Sequence, residues 1–126
     1  MLKRTAVLGA LLTSSFVAAA LASASPAQAT TANGCTYPRV CFYKTSTDWD
    51  NNHPTAAYQD YGDQALTTTA RGSYYVYNTR NDDRAIITYT TGSGATRTKC
   101  VNPNRAAAIG EDGFATRINI QTTASC

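Results

Sequence analysis

Short runs of alternating apolar and polar residues recur along the chain from Val40 onward. Ile118 and Ile120 alternate with polar residues within 115–122, and residues 73–78 combine tyrosines with Val76. A period of two is typical of a strand with one buried face. The pattern therefore predicts strands over residues 73–78, 85–91 and 115–122. The β-branched and aromatic residues at 40–43 predict another strand, and residues 96–101 are predicted to be the return strand after 85–91.

Turn-forming residues separate these predicted strands. Residues 92–94, "GSG", predict a hairpin between the runs 85–91 and 96–101. Strands at intervals of about ten residues favour a small antiparallel β-sandwich or barrel. The segment 104–110 is compatible with a strand or a single helical turn, and 47–64 with a polar loop. No helix of ordinary length is predicted.

The first 29 residues have the pattern of an export signal. Two basic residues precede a stretch rich in Ala and Leu, and Ala27-Gln28-Ala29 matches a small-x-small cleavage site. The alternative, a membrane anchor, needs about 20 apolar residues in succession, and Thr and Ser at 13–15 interrupt this stretch. We therefore predict a signal peptide over residues 1–29 and one secreted, extracellular domain over residues 30–126.

Charge and cysteine content change this picture in different ways. Removal of Lys3 and Arg4 lowers the formal net charge from +3 to +1, which gives no electrostatic reason to expect nucleic acid or a membrane as partner. We expect a monomer. All four cysteines lie in 30–126, and an even number in a short exported chain predicts disulfides.

Four cysteines permit three pairings. The pairing Cys35–Cys41 with Cys100–Cys126 closes two local loops and is the one we favour. Loop entropy gives the first bond about 2.5 kcal/mol and the second about 3.5 kcal/mol. For a small domain with a modest core, this is a large share of the total stability.

Catalysis has little support in the sequence, and we do not expect an enzyme. His53 is the single histidine and Glu111 the single glutamate, and no G-x-S-x-G motif is present. A small secreted hydrolase is the enzymatic alternative. It would use Glu111 and His53 as base and acid, with Arg71 or Arg84 holding a phosphate.

Ligand binding has several open alternatives. Residues 48–52 and 81–83 supply oxygens for calcium without the spacing of an EF-hand, and ordinary Asn/Asp turns explain them more simply. We expect no metal and no cofactor. Tyr74, Tyr75 and Tyr77 form either a sugar-stacking face or a half-buried packing surface.

The segment "KCVNPN" has the ingredients of a substrate-like inhibitor loop. Cys100 is predicted to be anchored by a disulfide, Val101 is apolar, and Pro103 restricts the backbone. A segment that is rigid before binding loses less entropy on complex formation. We predict a contact loop of Lys99, Cys100, Val101, Asn102 and Pro103, in which Lys99 helps to select the target.

These features resemble the Streptomyces metalloproteinase inhibitor family, small secreted proteins with a βγ-crystallin-like fold. The resemblance rests on the signal peptide, the Cys-x5-Cys at 35–41 with "CFY", the run "YYVYN" at 74–78 and the Cys100-Val101 pair. It implies that Cys100-Val101 is the bond presented to a secreted metallopeptidase. The family pairs its reactive cysteine with one a few residues later, whereas here Cys126 is the candidate partner.

The sequence thus predicts an all-β, disulfide-stapled, βγ-crystallin-like sandwich that acts as a secreted peptidase inhibitor. The first alternative is a cell-surface or carbohydrate-binding β module without inhibitory activity. The second is the small secreted hydrolase.

Overall fold

Strands make up most of the regular structure in residues 31–126, the part of the chain that the computed structural model describes. The predicted signal peptide at 1–29 lies outside these residues. Within residues 31–126 there is one short helix, α1, which spans Ser46–Asp50. The strands are β1 Thr31–Ala32, β2 Cys35–Thr36, β3 Val40–Tyr43, β4 Ala56–Tyr58, β5 Gly62–Ala65, β6 Tyr75–Asn78, β7 Arg84–Thr90, β8 Thr96–Val101, β9 Arg105–Ala108 and β10 Phe114–Gln121.

The strands form two four-stranded sheets and one small ribbon, and the described pairs are all antiparallel. One sheet, sheet A, has the order β4-β3-β6-β9, and the other, sheet B, has the order β5-β10-β7-β8; β1 pairs with β2. The predicted all-β antiparallel fold class is confirmed. Within residues 31–126, no helix has the length and apolar character needed to cross a membrane.

The two sheets exchange strands between two similar halves of the chain. In the half β3–β6 and again in the half β7–β10, the fourth strand lies beside the first, which is a Greek-key feature. The third strand of each half crosses to the other sheet, so β5 pairs with β10 and β9 pairs with β6. Each sheet therefore depends on both halves of the chain.

The main core lies between the sheets and contains the inward positions of the alternating strands. Ile118 and Ile120 of β10 are buried, as their alternation predicts. Burial of a side chain of this size contributes about 1.5–3 kcal/mol. The other buried members of this core are Val40, Phe42, Leu66, Ala70, Val76, Ala85, Ile87, Tyr89, Val101, Ile109 and Ala115.

A second, smaller cluster covers the opposite face of sheet A. The ring of Trp49, from α1, stacks on Tyr75 at 5.0 Å between centroids and meets Tyr43 edge-on at 4.9 Å. Tyr77 and the Cys35–Cys41 pair belong to the same cluster. Tyr75 and Tyr77 are therefore half-buried packing residues. Of the two alternatives predicted for them, a sugar-stacking face and a packing surface, the structure has the packing surface.

Local hydrogen bonds explain why a helix of five residues forms at this position. The Thr45 side chain accepts from the Asp48 backbone N–H at 3.1 Å, and the Asp48 carboxylate accepts from the Thr45 N–H at 2.9 Å. This capping box satisfies two backbone donors at the start of α1. The helix lies in the segment for which the sequence predicts only a polar loop.

Both disulfides have the predicted pairing. Cys35 bonds to Cys41 and Cys100 bonds to Cys126, and no described cysteine is free. The first joins β2 to β3, and the second joins Cys126 to β8. The prediction of a domain with two disulfide staples is thus confirmed.

Candidate ligand-binding cleft and the Cys100 segment

The predicted inhibitor loop is largely a strand. Lys99, Cys100 and Val101 belong to β8, and Val101 lies opposite Ala85 of β7. The Val101 side chain is only 1% exposed and packs in the main core. The prediction that Val101 contacts a peptidase is therefore corrected, because this buried side chain cannot enter a peptidase pocket while the fold is intact.

Lys99 also has an internal partner. Its register partner is the buried Ile87, so Lys99 emerges on the inner side of sheet B at the edge of the sandwich. Its ammonium group donates to the Ala108 carbonyl at 2.9 Å and forms an ion pair with Asp112. Lys99 therefore connects the two sheets at this edge. The sequence analysis predicted for Lys99 a role in target selection and not this internal contact.

Asn102 and Pro103 are the two members of the predicted loop that lie outside a strand. Asn102 is exposed, and its side-chain oxygen accepts from the Cys126 N–H at 2.9 Å. The next residue, Asn104, has a positive φ of 56° and donates to the Arg80 carbonyl at 3.0 Å. This connection between β8 and β9 is a tight turn held by contacts with Cys126 and Arg80.

The residues of the hydrolase alternative have separate partners. The closest contact of His53 to a carboxylate joins its Nδ1 to Asp48 at 4.0 Å, whereas Glu111 accepts from the Tyr74 hydroxyl at 2.8 Å. The hydrogen bond to Glu111 raises the pKa of Tyr74. Arg84 donates to Gln121 at 2.8 Å. The described contacts therefore do not join His53 to Glu111.

In the two segments considered for calcium, 48–52 and 81–83, aspartate side chains form hydrogen bonds that stabilise the fold. Residues 48–50 belong to α1, where Asp48 caps the helix. In the other segment, Asp83 accepts from the Arg80 guanidinium at 2.7 Å and from the Tyr61 hydroxyl at 2.8 Å. Across residues 31–126, no group of three His, Cys, Asp or Glu side chains is placed to hold a metal ion.

An open cleft of about 610 Å³ lies at the end of the sandwich opposite Val101. Three connections meet there: the one before β6, the hairpin turn between β7 and β8, and the turn before β10. We name it the Phe114 cleft. Its lining residues are Arg71, Gly72, Thr90, Thr91, Gly92, Gly110, Gly113, Phe114 and Thr116.

A half-exposed aromatic ring dominates this cleft. Phe114 keeps 50% of its surface exposed, although its ring packs on the backbone at Gly72. Gly72 has a φ of +68°, and a Cβ there would lie 2.3 Å from the ring. The carbon of the Arg71 guanidinium lies 5.9 Å from the ring centroid, within the range of a cation–π contact.

The turn that carries Phe114 is anchored to the core. Ile109 is fully buried, and its carbonyl accepts from Asp112 at 2.9 Å and from Gly113 at 3.0 Å. A Cβ on Gly113 would lie 2.3 Å from the Thr90 carbonyl oxygen, so glycine permits this close approach. The position of Phe114 is therefore set by the fold before any ligand arrives.

The cleft continues onto a row of hydroxyl groups on the outer face of sheet B. Phe114 lies opposite Thr90 of β7, and Thr90 lies opposite Thr96 of β8. In the next outward row, Thr88 lies opposite Thr98. An aromatic ring thus adjoins an ordered set of donors and acceptors on paired strands.

The sequence pattern predicts the wrong orientation for the Phe114 side chain. Phe114 has the same parity as Ile118 and Ile120, so strict alternation would place it in the core. The register of β10 shifts between Ala115 and Arg117, and a bulge reverses the facing of the residues before it. Ala115 is therefore buried, and Phe114 faces solvent.

Comparison with known proteins gives no relative for this chain: no protein-family model, no curated protein and no solved structure matches it. Function is therefore argued from the geometry of the described residues.

Proposed function

We propose that this chain is a secreted carbohydrate-binding protein that holds its ligand in the Phe114 cleft. The observation that carries the proposal is the half-exposed Phe114 ring beside hydroxyl-bearing residues. Ligand sites commonly combine apolar surface with a few placed polar groups. A sugar ring matches this set, because its C–H face packs on an aromatic ring and its hydroxyls exchange hydrogen bonds with threonines.

The proposal includes a βγ-crystallin-like fold. Its support is the pair of antiparallel four-stranded sheets, built from two similar halves that exchange their third strands. Such a framework places turns from both halves at one end, and the walls of the Phe114 cleft come from both halves. Sites on turns fixed by a rigid scaffold are common in proteins.

Retention on immobilised polysaccharides tests the proposal. We expect Phe114→Ala to lose binding and Phe114→Tyr to keep it, because tyrosine retains the ring. Tyr37→Ala is the matched control, since Tyr37 is also an exposed aromatic (38%) but lies outside the cleft. Retention that Phe114→Ala leaves unchanged would remove the cleft as the site.

Peptidase inhibition is the second candidate, with a revised contact surface. It is favoured by the turn after β8, where the Cys100–Cys126 bond and the Asn102–Cys126 hydrogen bond hold an exposed segment. Here Asn102 and Pro103, rather than Val101, would meet the peptidase.

Titration against thermolysin-type and subtilisin-type peptidases tests this second candidate. We expect inhibition to be lost in the double variant Asn102→Lys/Pro103→Ala and kept in Phe114→Ala. Val101→Asp is unsuitable as a test, because a charge in the core would unfold the domain. Absence of inhibition at micromolar concentrations would exclude the candidate.

A further inference from the structure

We propose that the carbohydrate of the Phe114 cleft is an acidic polysaccharide whose carboxylate pairs with Arg71. This inference rests on the proposed carbohydrate-binding function and specifies its ligand class. The ring of a uronic acid unit would lie on Phe114, with its carboxylate toward the guanidinium.

Arg71 is placed for such a contact. Its backbone is fixed by an N–H donated to Thr67 at 2.9 Å, and its guanidinium lies beside the Phe114 ring. In residues 31–126 Arg71 has no carboxylate partner, whereas Arg80 and Arg117 pair with aspartates. An arginine fork can hold a carboxylate with two parallel hydrogen bonds.

The charges around the cleft favour an anion. Lys44 reaches this rim and donates from its ammonium group to the Arg71 carbonyl. None of the lining residues is acidic. On the neighbouring turn, Asp112 is neutralised by Lys99, whereas Glu111 has no cation partner among the described residues. Two cations therefore outweigh one acid, which attracts a polyanion at low salt.

The shape of the surface favours a chain rather than a single sugar. The row Phe114–Thr90–Thr96 crosses three strands of sheet B. Adjacent strands lie about 4.8 Å apart, so the row extends over about 10 Å beyond the ring. A polymer lying along this row would place one unit on Phe114 and later units on the threonine hydroxyls.

Calorimetric titration of residues 30–126 with four polymers tests the inference. The polymers are polygalacturonate, its fully methyl-esterified form, a neutral galactan and polyglutamate. We expect polygalacturonate to bind about tenfold more tightly than the ester, as for the loss of one partly exposed charge-assisted contact. Its affinity should fall with added salt, and polyglutamate should bind weakly because it offers no sugar ring.

Variants separate the contribution of Arg71. We expect Arg71→Gln to weaken polygalacturonate binding about tenfold while leaving the ester unchanged, and Arg71→Lys to restore part of the loss. Arg39→Gln is the control, because Arg39 is an exposed arginine away from the cleft whose described contacts use its backbone. Its affinity for polygalacturonate should equal that of the parent chain.

The outcomes distinguish this inference from the function beneath it. Equal binding of the acid and the ester, with no effect of Arg71→Gln, would overturn the acidic ligand and leave the carbohydrate site standing. Polyglutamate binding as tightly as polygalacturonate would also overturn it, because charge alone would then suffice. If no polysaccharide binds, the proposed function fails, and this inference fails with it.

Discussion

Tyr43 shows how one buried polar side chain makes stability depend on pH. It is fully buried, and its hydroxyl donates to the Asn33 carbonyl at 2.7 Å. Burial, with a smaller contribution from Tyr77, raises the pKa of Tyr43 from 10.0 to about 12. The folded chain thus keeps a proton that the unfolded chain releases across this interval.

We predict that the free energy of unfolding decreases between pH 10 and 12, the interval set by the pKa of Tyr43. The contribution is fully present below pH 10 and is lost by about 1.4 kcal/mol per pH unit above it. Tyr43→Phe should make this slope shallower by the contribution of Tyr43, while Tyr37→Phe, at an exposed position, should retain it. Urea unfolding across this range measures the effect, and equal slopes in both variants would contradict the prediction.

The side chain of Val101 shows where residue-level inference from sequence ends. The hairpin pattern places the end of a strand at Val101, and Pro103 predicts a loop directly after it. In the structure Val101 lies opposite Ala85, as the hairpin implies, and its side chain is in the core. Which face of this strand is buried depends on packing against the second sheet, which the local pattern does not contain.

We predict that Val101→Ala lowers the free energy of unfolding by about 2 kcal/mol, through lost burial and a small cavity. Thr98→Ala, at an exposed position of β8, should change it by less than about 0.5 kcal/mol. Denaturant unfolding of the two variants measures the difference. Similar small losses in both would show that Val101 is not a core residue in solution.

At the scale of elements, the sequence predicts the central strands of both sheets and the edge strand β8, misses the edge strands β4 and β5, and leaves β9 open. β3, β7, β8 and β10 are found within one residue. Alternation identifies β7 and β10, β-branched and aromatic residues identify β3, and the hairpin identifies β8. Strands such as β9, "RAAA", and β5, "GDQA", have weak patterns and exist through pairing with a central neighbour. Context of this kind outweighs intrinsic strand preference.

Helix α1 depends on its cap, because five residues are too few for a helix that is stable in isolation. We predict that Thr45→Ala lowers the free energy of unfolding by about 1 kcal/mol. It should also shift the emission spectrum of Trp49, the single tryptophan of the chain. Thr47→Ala, exposed within α1, should change neither quantity by much. An unchanged emission spectrum in Thr45→Ala would show that the cap does not hold Trp49 on the sheet.

At the scale of the whole molecule, strand exchange makes the two halves inseparable. Each sheet takes three strands from one half and one from the other, and the main core contains residues of both. The sequence offers only weak similarity between the halves, so this arrangement could not be predicted from the pattern. The Phe114 cleft could not be predicted for the same reason, since its walls come from turns of both halves.

We predict that fragments 31–81 and 82–126 are each unfolded alone and regain β structure when mixed. The cut falls in the exposed turn between β6 and β7. Circular dichroism of the separate and combined fragments measures this, with the uncut chain as the reference. A folded single fragment would contradict the dependence of each sheet on both halves.

The position of β10 in the middle of sheet B also constrains the order of assembly during synthesis. Strands β5 and β7 both pair with β10, which follows them in the sequence. A nascent chain emerges from its N-terminal end, so β5 remains without this neighbour until residues 114–121 have emerged. Contacts so distant in sequence also slow folding, and the crosslink from Cys100 can close only after Cys126 has emerged.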